Sequence, residues 1–156
     1  MTSREFYCKL GEAIYRIDGA YDVFARDSKV TPNMLWLLCA LSDGKEHSQC
    51  QICRDWHFPR TTVNTLVKEL QAKGYLEMIP VPGSKREMRI ELTEAGKEFA
   101  AGVVAPVWEA EDRLFQRFFA GREAAFIHEL HAFADAMEEF FANNEKMDLR
   151  RENDGQ

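Results

Sequence analysis

The chain has no run approaching the ~18 consecutive apolar residues of a membrane span, and no partner in a bilayer is expected. Its first residues, Met1-Thr-Ser-Arg-Glu-Phe6, lack the apolar stretch of a secretory signal, so a cytoplasmic protein is expected. Four cysteines in 156 residues are too few for a disulfide scaffold in a chain long enough to bury its own core; reduced thiols are expected. Internal repeats and low-complexity blocks are missing. So are a phosphate-binding loop, a nucleophile elbow and a paired-carboxylate motif, and with them goes the expectation of an enzyme or of a cofactor. What remains is one ordinary soluble domain with a formal charge of −6, a sign that at first argues against nucleic acid as partner.

The charge is unevenly spread. Residues 1–59 carry seven Lys and Arg against eight Asp and Glu, residues 60–97 seven against five, and residues 98–156 six against thirteen. The acidic excess therefore belongs to the last third, while Arg60 to Arg89 holds six basic residues against three acidic ones, a net +3 in thirty residues.

Apolar spacing supplies the elements. Phe6, Leu10, Ala13, Ile14, Ile17, Tyr21 and Phe24 recur at threes and fours and predict an amphipathic helix from about Ser3 to Arg26. Thr31-Pro32 is a helix start, and Leu35, Trp36, Leu38, Cys39 and Leu41 predict a buried helix that Ser42-Asp43-Gly44 stops. Ser48-Gln-Cys-Gln51 fits a capping box for a short third helix ending near Trp56. A fourth runs from about Arg60 to Lys73, with Val63, Leu66, Val67 and Leu70 on one face and Gly74 as its stop. Its other face is Arg60, Thr61, Asn64, Thr65 and Lys68. Thr and Asn are mediocre helix formers, so that face reads as a hydrogen-bonding surface and not as a solvated Glu/Lys stripe. Tyr75 to Val81 and Glu87 to Leu92 alternate as a β-hairpin turned by Pro82-Gly83-Ser84, which sets Lys85 and Arg86 at its tip and Arg89 on its outer face. A long helix follows from Thr93 to about Phe119, bent at Pro106, and after Gly121 a last helix carries Phe126, Leu130, Phe133, Met137, Phe140 and Phe141 near a heptad spacing.

Three short helices and a ribbon with a basic tip are the layout of a winged helix-turn-helix: mainly α, with a small hairpin wing. A helix fits the major groove, where Arg and Asn can pair with guanine and adenine edges and Thr can reach phosphates or thymine methyls. Arg86 on a narrow wing suits an adjacent minor groove. The stretch Phe58-Pro-Arg-Thr-Thr-Val-Asn-Thr-Leu-Val-Lys-Glu-Leu-Gln-Ala-Lys-Gly-Tyr-Leu76 resembles the recognition helix and exit of the MarR family (multiple antibiotic resistance regulators) of bacterial transcription factors. Arg86-Glu-Met-Arg-Ile-Glu-Leu-Thr-Glu-Ala-Gly96 resembles that family's wing signature, Asp-x-Arg-x5-Leu-Thr followed by Gly. Arg86, Leu92 and Thr93 fall in register; the motif's Asp, which in the family helps hold the wing arginine, is Ser84 here.

The resemblance implies a homodimer in which the first and the last two helices interdigitate. It sets residues 1–30 and 97–142 as dimerisation region, 31–96 as DNA-binding lobe and 143–156 as a disordered tail. The apolar faces of the terminal helices agree with it, since a monomer has little use for so many large apolar residues there. Two-fold symmetry then implies recognition helices one DNA turn apart and a pseudo-palindromic operator. The expected function is a repressor that reads double-stranded DNA with Arg60, Thr61, Thr62, Asn64 and Thr65 and holds phosphate or minor groove with Lys68, Lys85, Arg86 and Arg89. By resemblance, a small aromatic effector binds between dimer base and lobe, with Tyr15, Arg16 and Trp36 as its lining.

Two other readings stay open. One is a thiol redox sensor using Cys8, close to Tyr7 and Tyr15, or Cys50 and Cys53; the other is a winged-helix protein-interaction module that ignores DNA, for which the −6 charge speaks. His47, Cys50, Cys53 and His57 are spaced like ligands but span ten helical residues, roughly 15 Å, so Cys50, Cys53 and one histidine are the most that can share an ion. A thioredoxin-like use of Cys50 and Cys53 lacks the preceding buried strand. His128 and His131 read as surface histidines beside Glu129. No metal site is expected.

Overall fold

Thr and Ser open three of the helices, where a side-chain oxygen can replace the helical partner that a first-turn amide lacks. In a computed structural model, which describes residues 1–81, 88–119 and 121–153 (144–153 as backbone only), the order is α1 Ser3–Asp27, α2 Pro32–Leu41, β1 His47–Ser48, α3 Gln49–Asp55, α4 Arg60–Ala72, β2 Leu76–Pro80, β3 Met88–Leu92, α5 Glu94–Phe118 and α6 Glu123–Asn153. Thr2, Thr31 and Ser48 each accept a first-turn amide, and Glu5 and Gln51 return the bond in two capping boxes.

The chain divides into two units, Met1–Ala110 and Glu111–Gln156. In the first, α2 is buried almost all round through Met34, Leu35, Leu37, Leu38 and Ala40. Ile52 of α3, Val63, Val67 and Leu70 of α4, Leu76 and Ile90 of the sheet, and Val103, Val104 and Val107 of α5 close the core around it. The sheet is antiparallel in the order β1-β3-β2, with Met78 opposite Ile90 and His47 opposite Ile90 on the other edge. Only the C-terminal part of α1 joins this core, through Ala25, Tyr21 and Phe24. Phe6, Tyr7, Ile14, Tyr15 and Ile17 stay exposed. In the second unit the aromatics Phe115, Phe118, Phe119 and Phe126 meet one another around the turn at Gly121 (φ +85), and Phe126, Ile127, Leu130, Phe140 and Phe141 are exposed.

The fold class agrees with the sequence reading: mainly helical with a small antiparallel wing sheet. Two boundaries differ. The ribbon has a third strand, His47–Ser48, too short to carry a period. The last helix continues to Asn153, past the last large apolar residues at Phe140 and Phe141.

One latch ties α4 to α5. Gly74, at φ +72, ends α4 in a Schellman arrangement in which the Tyr75 amide donates to Leu70 O (2.9 Å) and the Gly74 amide to Gln71 O (2.9 Å). The same turn is then gripped by the start of α5. The Thr93 amide donates to Tyr75 O (3.1 Å), its hydroxyl donates to Gly74 O (2.8 Å), and that hydroxyl accepts from the Gly96 amide (3.0 Å). Tyr75 stacks on Phe99 at 4.7 Å. Gly96 lies so close that a Cβ built on it would sit 1.8 Å from Tyr75 O. The Gly-Tyr-Leu and Leu-Thr-x-x-Gly stretches are therefore the two halves of one joint.

Candidate nucleic-acid interface

The chain enters α4 through a constrained turn. Trp56 ends α3, His57 takes a positive φ of 50°, and Pro59, which also holds Phe58 extended, stands at the N-cap position with no side-chain hydrogen bond to the first turn. Within α4, Val63, Leu66, Val67 and Leu70 face the core and fix the rotation of the helix. That rotation leaves Arg60, Thr61, Asn64, Thr65 and Lys68 exposed together along one face, with Thr62 half-buried at its flank. The Thr65 hydroxyl donates to Thr61 O at 2.9 Å, so its proton is committed and its oxygen lone pairs face out. Among the described residues Arg60 and Lys68 have no carboxylate within ion-pair distance. Beside this face, Gln49, Cys50 and Cys53 of α3 and Arg60, Thr61 and Asn64 of α4 line an open cleft of about 380 Å³.

The wing is only partly described. Lys85 and Arg86, with the turn at Pro82-Gly83-Ser84, lie outside the described residues. Arg89, expected on the outer face of the ribbon, is described and is tied down. It makes ion pairs with Glu46 and Glu91, both at 2.5 Å, with its side chain 28% exposed. The charge of Arg89 is thus neutralised within the sheet.

The expected effector-lining residues go to separate places. Tyr15 is 79% exposed on α1 and Arg16 is exposed beside it. Trp36 belongs to an aromatic ladder that runs Tyr21–Trp36 (4.4 Å), Trp36–Trp56 (5.8 Å) and Trp56–Phe58 (6.5 Å), from α1 to the entry of α4. A cavity of about 430 Å³ lies elsewhere, between the end of α2, the β1–β3 edge and α5, with Leu41, Leu92 and Val104 as apolar wall, Trp108 as aromatic wall, and Lys45 and Lys97 balanced by Glu46 and Glu91 as its charged groups. Lys97 keeps its proton more firmly than usual because Glu94 accepts from it at 2.6 Å. Next to the cavity, Asp43 accepts from the Lys45 amide (2.9 Å) and pairs with His47 Nε2 (2.8 Å). Burial raises its carboxyl, but the His47 and Lys45 hydrogen bonds and charges outweigh burial and hold it below the ordinary value. Nothing in the sequence singled out Lys45, Lys97 or Trp108, because they come from a loop and a helix fifty residues apart.

All four cysteines are free. His128 and His131 are exposed on α6, and among the described residues no three His, Cys, Asp or Glu side chains gather closely enough to hold a metal ion.

The model of the MarR family matches residues 28–87, a stretch that begins just after α1 and takes in α2, α3, α4 and β2. A MarR family regulator of Neisseria meningitidis, NMB1585, superposes with a TM-score of 0.79 at 26% identity, over 92% of this chain and 99% of that one. Over that stretch, and in fold along most of its length, the chain is similar to MarR family regulators. The transcriptional repressor NicR of Pseudomonas putida is 25% identical over 83% of this chain and 82% of its own length. BpsR of Bordetella bronchiseptica, whose DNA binding is regulated by 6-hydroxynicotinic acid, shares the fold, with a TM-score of 0.62 and 22% identity over 83% of this chain and 98% of that one. That likeness sets the α4 face within a winged helix-turn-helix of the kind these regulators share.

Proposed function

We propose that the protein is a homodimeric, sequence-specific DNA-binding repressor that works in the cytoplasm and answers to a small aromatic effector. The observation that carries the reading is the α4 face. Four buried residues lock the helix, and the opposite side presents Arg60, Thr61, Asn64, Thr65 and Lys68 with no acidic residue among them. Arg60 and Asn64 are the side chains for guanine and adenine edges, Thr61 and Thr65 suit phosphate or thymine methyl, Thr62 supports the flank, and Lys68 suits phosphate. The uncapped first turn of α4 leaves backbone amides for a phosphate oxygen. Lys85 and Arg86 would hold the flanking groove.

The second copy is argued from what a single chain leaves uncovered: Phe6, Ile14 and Ile17 on α1, and Leu114, Phe118, Phe126, Ile127 and Leu130 on α5 and α6. Residues 1–30 and 97–142 form the dimer base in this reading. The 430 Å³ cavity is the place we assign to the aromatic effector, since Trp108 and an apolar wall offer a ring a surface to pack on. Because one of its walls is β3 and another is α5, a ligand that binds one lobe spacing more tightly shifts the population toward it.

The test is to pass sheared DNA from the source genome over the immobilised protein and sequence what is retained. Recovery of one pseudo-palindromic element, lost in an Arg60→Ala, Asn64→Ala double variant, is the expected result. Retention without sequence preference, or none at all, sinks the reading and leaves the protein-interaction module.

A further inference from the structure

Cys50 and Cys53 are used by nothing described above. They lie three residues apart on one side of α3, where Cβ atoms are about 5–6 Å apart. Both thiols are free; Cys50 is exposed and Cys53 is half-buried against the core. Both line the open cleft whose other wall is Arg60, Thr61 and Asn64 of α4. Two sulfurs converging on one cleft make a soft, bidentate donor pair. Coordination number then decides what the pair can hold. Zinc asks for four ligands in a closed site, and among the described residues no third ligand joins these two. A trivalent arsenical carries its own third substituent and needs only two thiolates.

We propose that Cys50 and Cys53 form a dithiol receptor for trivalent organoarsenicals, and that its occupation excludes DNA from α4. The organoarsenic oxide condenses with the two thiols. Two As–S bonds form, two S–H bonds break, and both protons leave with the arsenical's oxygen as one water molecule. Neither sulfur nor arsenic changes oxidation state, so no oxidant is consumed, which separates this chemistry from thiol oxidation. The organic group then stands against Thr61 and Asn64, where a base edge would lie. That last step rests on the DNA-facing reading of α4; the chelation does not.

Phenylarsine oxide is the probe, and the reduced full-length chain is the sample. Intact-mass measurement is expected to show one phenylarsenic group per protomer, with loss of water, in the wild type and in Cys8→Ser, and none in Cys50→Ser or Cys53→Ser. Dimercaptopropanol should strip the adduct while excess glutathione leaves it, the signature of a two-point chelate. Cys50→Ser, at an exposed position, decides the matter even if Cys53→Ser disturbs packing. In the DNA-retention assay, the probe should lower the wild type's affinity by roughly tenfold or more, the cost of losing one good base contact, and leave Cys50→Ser unchanged. An adduct that survives in Cys50→Ser overturns the site, and an adduct that leaves retention intact overturns its coupling to DNA. A chain that retains no DNA before the probe is added refutes the proposed function instead, and the mass measurement still decides the site.

Discussion

Replacing Gly96 by alanine separates two opposed physical effects. In a helix interior the change from glycine to alanine is favourable by about 1 kcal/mol, because alanine loses less backbone entropy. At Gly96 the added Cβ would lie 1.8 Å from Tyr75 O and 2.7 Å from Tyr75 C, against a practical minimum of 3.0 Å, so the α4 exit and the α5 entry must separate by at least 3.0 − 1.8 = 1.2 Å. The obstacle is backbone, which cannot rotate away. A shift of that size breaks the Thr93 amide bond to Tyr75 O and strains the Thr93 hydroxyl bond to Gly74 O, together roughly 1–3 kcal/mol. It also disturbs the Tyr75–Phe99 stack, about 0.5–1.5 kcal/mol. Less the helical gain, Gly96→Ala should destabilise by about 0.5–3.5 kcal/mol. Gly102→Ala, in the same helix with nothing within 4 Å of the new Cβ, should stabilise by up to ~1 kcal/mol. Urea midpoints at equal m-value and fixed protomer concentration measure both. A Gly96→Ala midpoint at or above that of the wild type would refute the close approach, and with it the account of why these two stretches of sequence belong together.

Three further outcomes follow from the interface. Asn64→Ala should relax base preference at one position per half-site at a cost of about 1–3 kcal/mol, whereas Lys68→Ala should weaken binding to all sequences and flatten the salt slope by ~0.9 per protomer; gel shifts across a salt series distinguish them, and the reverse pattern would contradict the assignment of roles. Arg89→Ala should change that slope far less than Lys68→Ala, because Glu46 and Glu91 already neutralise Arg89; an equal loss would mean the ion pairs open on DNA. Asp43 has a folded-state pKa below its unfolded one, so its contribution to stability is present above the unfolded value near pH 4 and is lost as pH falls through the folded value. The stability gap between wild type and Asp43→Asn should accordingly be widest near neutrality and shrink in acid unfolding; a gap that grows in acid would show the sign to be wrong.

The elements that were legible in the sequence are those whose signals are local. Thr31-Pro32, Ser48-x-x-Gln51 and Gly74 act through their nearest backbone groups, and the structure uses each as a cap or stop. The face of α4 was legible because a single amphipathic period displays both its sides. What stayed hidden depends on partners distant in sequence. His47–Ser48 is a strand only because β3 pairs with it. Arg89 looks like a free cation until Glu46, 43 residues away, is placed against it. Trp36 could not be assigned from α2 alone, since an all-round apolar helix gives no direction; Tyr21 and Trp56 supply it.

The proposed DNA binding has to be reconciled with an acidic chain. Six Lys and Arg against eleven Asp and Glu put −5 on residues 111–156, and fourteen against fifteen leave −1 on residues 1–110. Within the latter, pairing sorts the cations: Lys45 with Asp43, Arg54 with Asp55, Lys73 with Glu69, Arg89 with Glu46 and Glu91, and Lys97 with Glu94. Arg60 and Lys68, on the exposed α4 face, are left without such a partner among the described residues. The potential that a phosphate meets is set by charges within about a Debye length, ~8 Å at physiological salt, and not by the total. Even counting Lys85 and Arg86, the proposed interface offers four cations per protomer and eight in the proposed dimer, which would cap the salt slope near −7. So small an electrostatic contribution leaves specificity to Asn64, Arg60 and the threonines, and makes affinity depend on both half-sites being held at once.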